Sequence, residues 1–273
     1  VPMYDRVIVP LDGSPMAERA LAPAVEVAKR AGAELVATMV VDDTLTEDHR
    51  AYVKHLVSPF DVASPPPYII EADDAAECIA NAGEADRSLV VMTSHGSSGI
   101  RRAVLGSVAE GVVSALHKPV LLIGPQCEAG RSIAGGRVLV PLDGSRRAEA
   151  ILDAVAAWCD LMALQAWPVT AVDPVPAAPD VPDDAYLRRV TRQLSDLGIS
   201  SSWDVLHQHD AAEALVTFAL GLPASLVAMT THGRTGLARV TLGSVATRVV
   251  HEVTSPVLLL RPELDEESVS SSN

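Results

Sequence analysis

Hydrophobic and polar positions along the chain alternate between two patterns. Short continuous apolar runs suit strands buried on both faces, and the stretches between them place apolar residues at three- and four-residue steps. Arg6–Pro10 is the first such run. Ser14-Pro15 then reads as a helix N-cap with proline at the first helical position. Ala20, Leu21, Ala24, Val27, Ala28 and Ala31 line one face of that helix, and Gly32 ends it. Glu34–Val41 reads as the second strand, Asp48–Leu56 as a helix and Tyr68–Glu71 as the third strand. A helix at Ala75–Ala82, a strand at Ser88–Met92, a helix at Ser107–Leu116 and a strand at Pro119–Ile123 complete the series.

The series occurs twice. Arg6-Val-Ile-Val-Pro-Leu-Asp12-Gly-Ser14 returns as Arg137-Val-Leu-Val-Pro-Leu-Asp143-Gly-Ser145, 131 positions later. Ser88-Leu-Val-Val-Met-Thr-Ser-His95-Gly96 returns as Ser225-Leu-Val-Ala-Met-Thr-Thr-His232-Gly233, now 137 positions later. Leu105-Gly106-Ser107-Val108-Ala109 and Pro119-Val120-Leu121-Leu122 return at the same 137, as Leu242–Ala246 and Pro256–Leu259. Four blocks in one order mark a duplicated domain. The growth in offset places a few extra residues in the middle of the second copy.

Five strands alternating with four helices predict parallel crossovers. Each copy is then an α/β, doubly wound domain with a five-stranded parallel sheet and helices on both faces. The predicted domains are 1–125 and 137–262, joined by a linker over 126–136. Residues 263–273 form an acidic, Ser-rich tail expected to be disordered.

Composition narrows the function classes. The 273 residues are 48% hydrophobic and 21% charged, as in globular proteins, and suffice for two domains. A net charge of −14 repels phosphate backbones, and 3% aromatic residues leave few stacking platforms, so nucleic-acid binding is disfavoured. The strongest apolar candidate, Val112 to Ile123, is cut by His117, Lys118 and Pro119 and is short of the ~18–20 residues of a membrane span. The first residues lack a basic n-region and an apolar core, so a cytoplasmic protein is expected. Cys78, Cys127 and Cys159 are odd in number and lack CxxC spacing, which fits a reduced compartment. Cys78 and Cys159 read as buried helix residues.

Ligands of open parallel sheets bind beyond the carboxyl ends of the strands. Two elements fall there in each copy. Asp12-Gly13-Ser14 and Asp143-Gly144-Ser145 follow the first strand. These aspartates are either turn formers or acceptors for a ligand amine such as an adenine N6. The other element is Gly96-x9-Gly106-Ser107, or Gly233-x9-Gly243-Ser244, after the fourth strand. Its glycines permit close backbone approach, and Ser107 opens a helix whose N–H groups can meet an anion. Arg101, Arg102, Arg234 and Arg239 put positive charge in the same loops. Ser107-Val-Ala-Glu110 also reads as a capping box, a purely structural role; Ser244-Val-Ala-Thr247 lacks the glutamate. His95 and His232 have neither a metal-spaced cluster nor a Gly-x-Ser-x-Gly elbow beside them, and read as loop-packing residues.

These blocks resemble the universal stress protein family, specifically its tandem two-domain members, over nearly the whole chain. Nucleotide-binding members share Gly-x2-Gly-x9-Gly-(Ser/Thr). The two copies match it at Gly96, Gly106 and Ser107, and at Gly233, Gly243 and Ser244, with Thr93 and Thr230 at the first glycine. The resemblance implies strand order 3-2-1-4-5. It also implies adenine contacts from Asp12 and Asp143 beside Pro10 and Pro141. Val40, Met92, Ala171 and Met229 would pack on the sugar or base. Triphosphate contacts would come from Gly96, Gly106, Ser107 and Val108, and from Gly233, Gly243, Ser244 and Val245. Thr93 and Thr230 are expected to keep strand geometry beside the sugar, weakening ATP binding without abolishing it.

The function expected is an ATP-binding stress-response regulator or interaction module, with Mg²⁺ on the phosphates and no catalytic residue. A slow ATPase or adenylate-handling enzyme and a nucleotide-free interaction module are the alternatives. No Gly-x4-Gly-Lys-(Ser/Thr) is present to favour turnover. Regulatory protein partners are expected, but neither nucleic acid nor membrane. The fifth strands end apolar, so the copies are expected to pair edge to edge as an internal pseudo-dimer, with or without a homodimer of whole chains.

Overall fold

The computed structural model describes residues 3–41, 47–64, 68–71, 74–96, 105–173, 184–222, 224–232 and 242–262. Gly99, Arg101, Arg102, Gly233, Arg234, Arg239 and the tail 263–273 lie outside the described residues. The first half contains β1 (Arg6–Leu11), α1 (Pro15–Glu18), α2 (Leu21–Ala31), β2 (Glu34–Val41), α3 (Glu47–Val57), β3 (Tyr68–Glu71), α4 (Ala75–Gly83), β4 (Ser88–Thr93), α5 (Ser107–Ala115) and β5 (Val120–Ile123). The second contains β6 (Arg137–Pro141), α6 (Arg146–Glu149), α7 (Leu152–Met162), β7 (Gln165–Val172), α8 (Asp184–Asp196), β8 (Asp204–His207), α9 (Ala211–Gly221), β9 (Ala224–Thr230), α10 (Ser244–Glu252) and β10 (Val257–Leu260).

The strands form one ten-stranded sheet in the order β3-β2-β1-β4-β5-β10-β9-β6-β7-β8. Pairing within each half is parallel. Where the halves meet, β5 and β10 pair antiparallel, Leu121 opposite Leu258 and Val120 opposite Leu259. All four residues are buried. Burying such a side chain contributes about 1.5–3 kcal/mol, and pairing also satisfies the row of N–H and C=O groups that an open edge presents.

Alternation along β1 divides the core. Val7, Val9 and Leu11 join the layer containing α2 and α7, whereas Ile8 joins the layer containing α4, α5, α9 and α10. Both layers run through the two halves. In the first, Trp158 of α7 donates its indole N–H to the Tyr4 hydroxyl oxygen at 2.9 Å, and the rings meet edge-on. Burial raises the Tyr4 phenol well above the usual tyrosine range.

Two helices replace the single one expected after Ser14. Arg19 N–H and Ala20 N–H turn back to the Met16 and Ala17 carbonyls in tight turns that end α1. Pro23 could not donate to the Arg19 carbonyl of a continuous helix. Yet α6 and α7 break at the same place with Ala154 in that position, so the proline fits the break without causing it. The break aims Arg19 at the carbonyls of Pro125 and Cys127.

The segment 126–136 is docked along its length. The Glu26 carboxylate accepts from the N–H groups of Ile133 and Ala134 and from the Ser132 hydroxyl. Cys127 and Ile133 are buried, and burial pushes the Cys127 thiol up to about 11 and the Cys159 thiol up to about 12. Cys78 departs from expectation: it is only half-buried, because α4 turns Ile79, Ala80 and Gly83 inward. Among the described residues no helix is long and apolar enough to cross a membrane.

The Tyr4–Trp158 bond joins the halves inside a buried, mostly apolar layer. Tyr4→Phe would leave the indole N–H unsatisfied, at a cost of about 1–3 kcal/mol. Urea denaturation followed by tryptophan fluorescence is expected to show that loss. An unchanged midpoint would mean the bond contributes nothing.

Candidate nucleotide sites

The turn after β1 is built by Asp12. Its Oδ1 accepts from the Ser14 N–H at 2.9 Å and the Ser14 hydroxyl at 2.6 Å, while Gly13 takes φ +79°. Ser14 in turn caps α1 by accepting from the Ala17 N–H at 3.2 Å, with Pro15 as the first helical residue. The second half repeats this with Asp143, Ser145 and Ala148, and Gly144 at φ +82°. Both aspartates are therefore turn formers, and both also line a cavity.

The loop after β4 is pinned by its backbone. Ser94 N–H donates to the Ile123 carbonyl at 3.0 Å, and Gly106 N–H returns to the Ser94 carbonyl at 2.8 Å. Thr231, Leu260 and Gly243 reproduce this in the second half. Thr93 and Thr230 end their strands without positive φ. Their hydroxyls donate to the carbonyls of His95 and His232, at 2.8 and 3.1 Å. Each threonine thus latches the loop that follows it. At Gly96 a Cβ would collide with the Asp12 Oδ2, so any larger residue would have to displace that carboxylate where the two loops touch. His95 is buried in the loop, its Nδ1 3.0 Å from the Ser94 hydroxyl, and His232 holds the same relation to Thr231 at 3.2 Å.

The capping box does not form. Gly106 is the N-cap of α5 with extended backbone and no side-chain cap, and Ser107 is the first helical residue. Gly243 and Ser244 stand in the same relation to α10. A glycine cap leaves the leading N–H groups of each helix without the side-chain acceptor that serine at that position would supply.

These elements converge on a cavity of about 300 Å³ in the first half. Pro10, Asp12, Val40, Met92, Thr93, Gly96, Gly106, Ser107 and Val108 all line it. The second cavity, about 330 Å³, is lined by Pro141, Asp143, Ala171, Met229, Thr230, Gly243, Ser244 and Val245. Gly233 lies outside the described residues. Sequence reasoning missed the wall supplied by the helix before the fourth strand: Ala75 and Ile79 in one half, Ala211 and Leu215 in the other. The apolar period of those helices marks them as buried but not as site-lining. Each cavity is lined by apolar residues together with an aspartate turn, the residues that follow the fourth strand and a helix N-terminus capped by glycine. Because the seam is antiparallel, the cavities open at opposite ends of the sheet.

Comparison with known proteins places this architecture. The sequence profile described as Universal stress protein family matches residues 3–61, 66–124 and 136–261. A universal stress protein of Mycobacterium bovis is 28% identical over 245 residues, covering 84% of this chain and 77% of that protein. One from Mycolicibacterium smegmatis is 26% identical over 235 residues, covering 83% and 74%. The crystal structure of a universal stress protein from Archaeoglobus fulgidus superposes with a TM-score of 0.71 over 97% of this chain and all of its own, at 20% identity. With a duplicated α/β unit, paired cavities at the strand ends and a family profile matched across both halves, the chain belongs to the universal stress protein family.

Proposed function

We propose that each half binds one adenine nucleotide, ATP accompanied by Mg²⁺, and that occupancy regulates interactions with protein partners. The observation that carries this reading is the convergence, twice, of an aspartate turn and a glycine-capped helix N-terminus without a side-chain cap on one partly apolar cavity. The volumes lie at the lower end of the ~300–1,000 Å³ typical of small-molecule sites. Asp12 and Asp143 would accept from the adenine amine beside Pro10 and Pro141. Val40 and Met92, or Ala171 and Met229, would pack on the base and sugar. Gly96, Gly106, Ser107 and Val108 would face the phosphates, as would Gly233, Gly243, Ser244 and Val245.

Binding without dedicated turnover is favoured over an ATPase by the choice of carboxylates. Among the described residues lining the cavities, Asp12 and Asp143 are the only acids, and each is bonded to its turn serine. Hydrolysis calls for a group that orients water or Mg²⁺ at the transferred phosphoryl. A nucleotide-free interaction module would leave the same cavities unused.

Charge at the helix N-terminus tests the phosphate assignment. Ser107→Glu and Ser244→Glu place a carboxylate where phosphate would lie, while an acid in the first helical turn should not lower stability. Calorimetry is expected to show at least a tenfold loss of ATP affinity, about 1.4 kcal/mol, at each altered site. Unchanged binding in the double variant would defeat the assignment.

The threonine latch gives a second test. Thr93→Ser with Thr230→Ser keeps the hydroxyl and removes the methyl; the paired Val substitutions keep the bulk and remove the donor. The serine variant is expected to bind ATP at least as tightly as the parent, and the valine variant to lose about 0.5–1.5 kcal/mol, roughly two- to tenfold. Equal affinities in the two variants would show that the latch does not shape the site.

A further inference from the structure

The first cavity is backed by a residue from across the seam. His95 lines that cavity, and its ring meets the ring of His251 edge-on, with centroids 6.1 Å apart and planes at 76°. His251 lies in the last turn of α10, in the second half. The neighbouring Val250 carbonyl presses on Gly124, where a Cβ would collide with it, and Gly124 directly follows β5. The end of β5, the loop from Thr93 to Gly96 and the last turn of α10 are therefore one packed cluster. The first residues of α10, Ser244 and Val245, line the second cavity. One nine-residue helix, about 13 Å long, thus runs from the second site to the back of the first.

The reverse connection is chemically different. At the repeat offset of 137, position 251 corresponds to Ser114 in the last turn of α5. The first half therefore carries a serine, and no imidazole, at the position corresponding to His251.

We propose that His251 is a positioning residue of the first nucleotide site and makes the two sites unequal in affinity. The inference rests on the adenine-nucleotide reading above. His251 braces His95, whose carbonyl accepts from Thr93 and whose chain neighbour is Gly96 against Asp12. Removing the brace takes the edge-on contact away from the His95 ring and loosens the loop that meets the ligand. The second site, which uses the opposite end of α10, has no such dependence on the His251 ring.

The sites can be read separately by blocking one at a time. With Ser244→Glu, ATP titration reports the first site; with Ser107→Glu, it reports the second. In the first background His251→Ala is expected to weaken ATP about three- to tenfold, and His251→Phe, which keeps an edge-on ring, to restore most of the loss. In the second background both substitutions should leave affinity within twofold. Thermal melts of each variant report folding, and His251→Gln replaces the alanine variant if that fails to fold. An equal loss at both sites would assign His251 a purely structural role, and no loss at the first site would also overturn the proposal. If the unmodified chain binds no ATP, the nucleotide reading falls and the inference falls with it.

Discussion

The antiparallel pairing of β5 with β10 governs the rest of the molecule. Each half alone would end in a short, wholly apolar strand with open hydrogen-bonding groups, a template for aggregation. Joining the two edges satisfies those groups and buries Leu121 and Leu258 at the middle of a ten-stranded sheet. It also sets direction. Strands parallel within a half run antiparallel across the seam, so one half's strand ends, with their cavity, face the opposite way from the other's. The helices flanking the seam inherit this geometry, and each starts at its own cavity and ends toward the other.

Within the first site the critical constraint is the mutual fit of two loops. Asp12 organises its own turn through Ser14 and leans on Gly96, while Thr93 fixes the carbonyl just before that glycine. An acidic chain with net charge −14 has little long-range attraction for a polyphosphate. A helix N-terminus contributes only about 0.3–1 kcal/mol per charge at exposed positions. Backbone N–H groups held in place by these loops, together with Mg²⁺, would carry the remainder.

Much of this was legible in the sequence because its signals are local. Glu34–Val41 and Tyr68–Glu71 were bounded correctly by apolar runs, and the duplicated blocks marked both cavities. The split between α1 and α2 was not legible, since both copies carry a helical period straight through it. Ser107 read as a cap because serine and glutamate occupy the right spacing, but the backbone of Gly106 took the cap position. The docking of 126–136 depends on Glu26 and Arg19, more than a hundred residues away. The His95–His251 contact is likewise invisible to spacing, because it exists only after two edges pair.

On this reading the seam holds two nucleotide sites in one chain, alike in their parts though unequal in affinity. Native mass spectrometry of the unaltered protein with saturating Mg·ATP counts bound ligands directly. Two nucleotides on each chain are the predicted result. A chain that takes up only one, or none, at saturation would contradict the account.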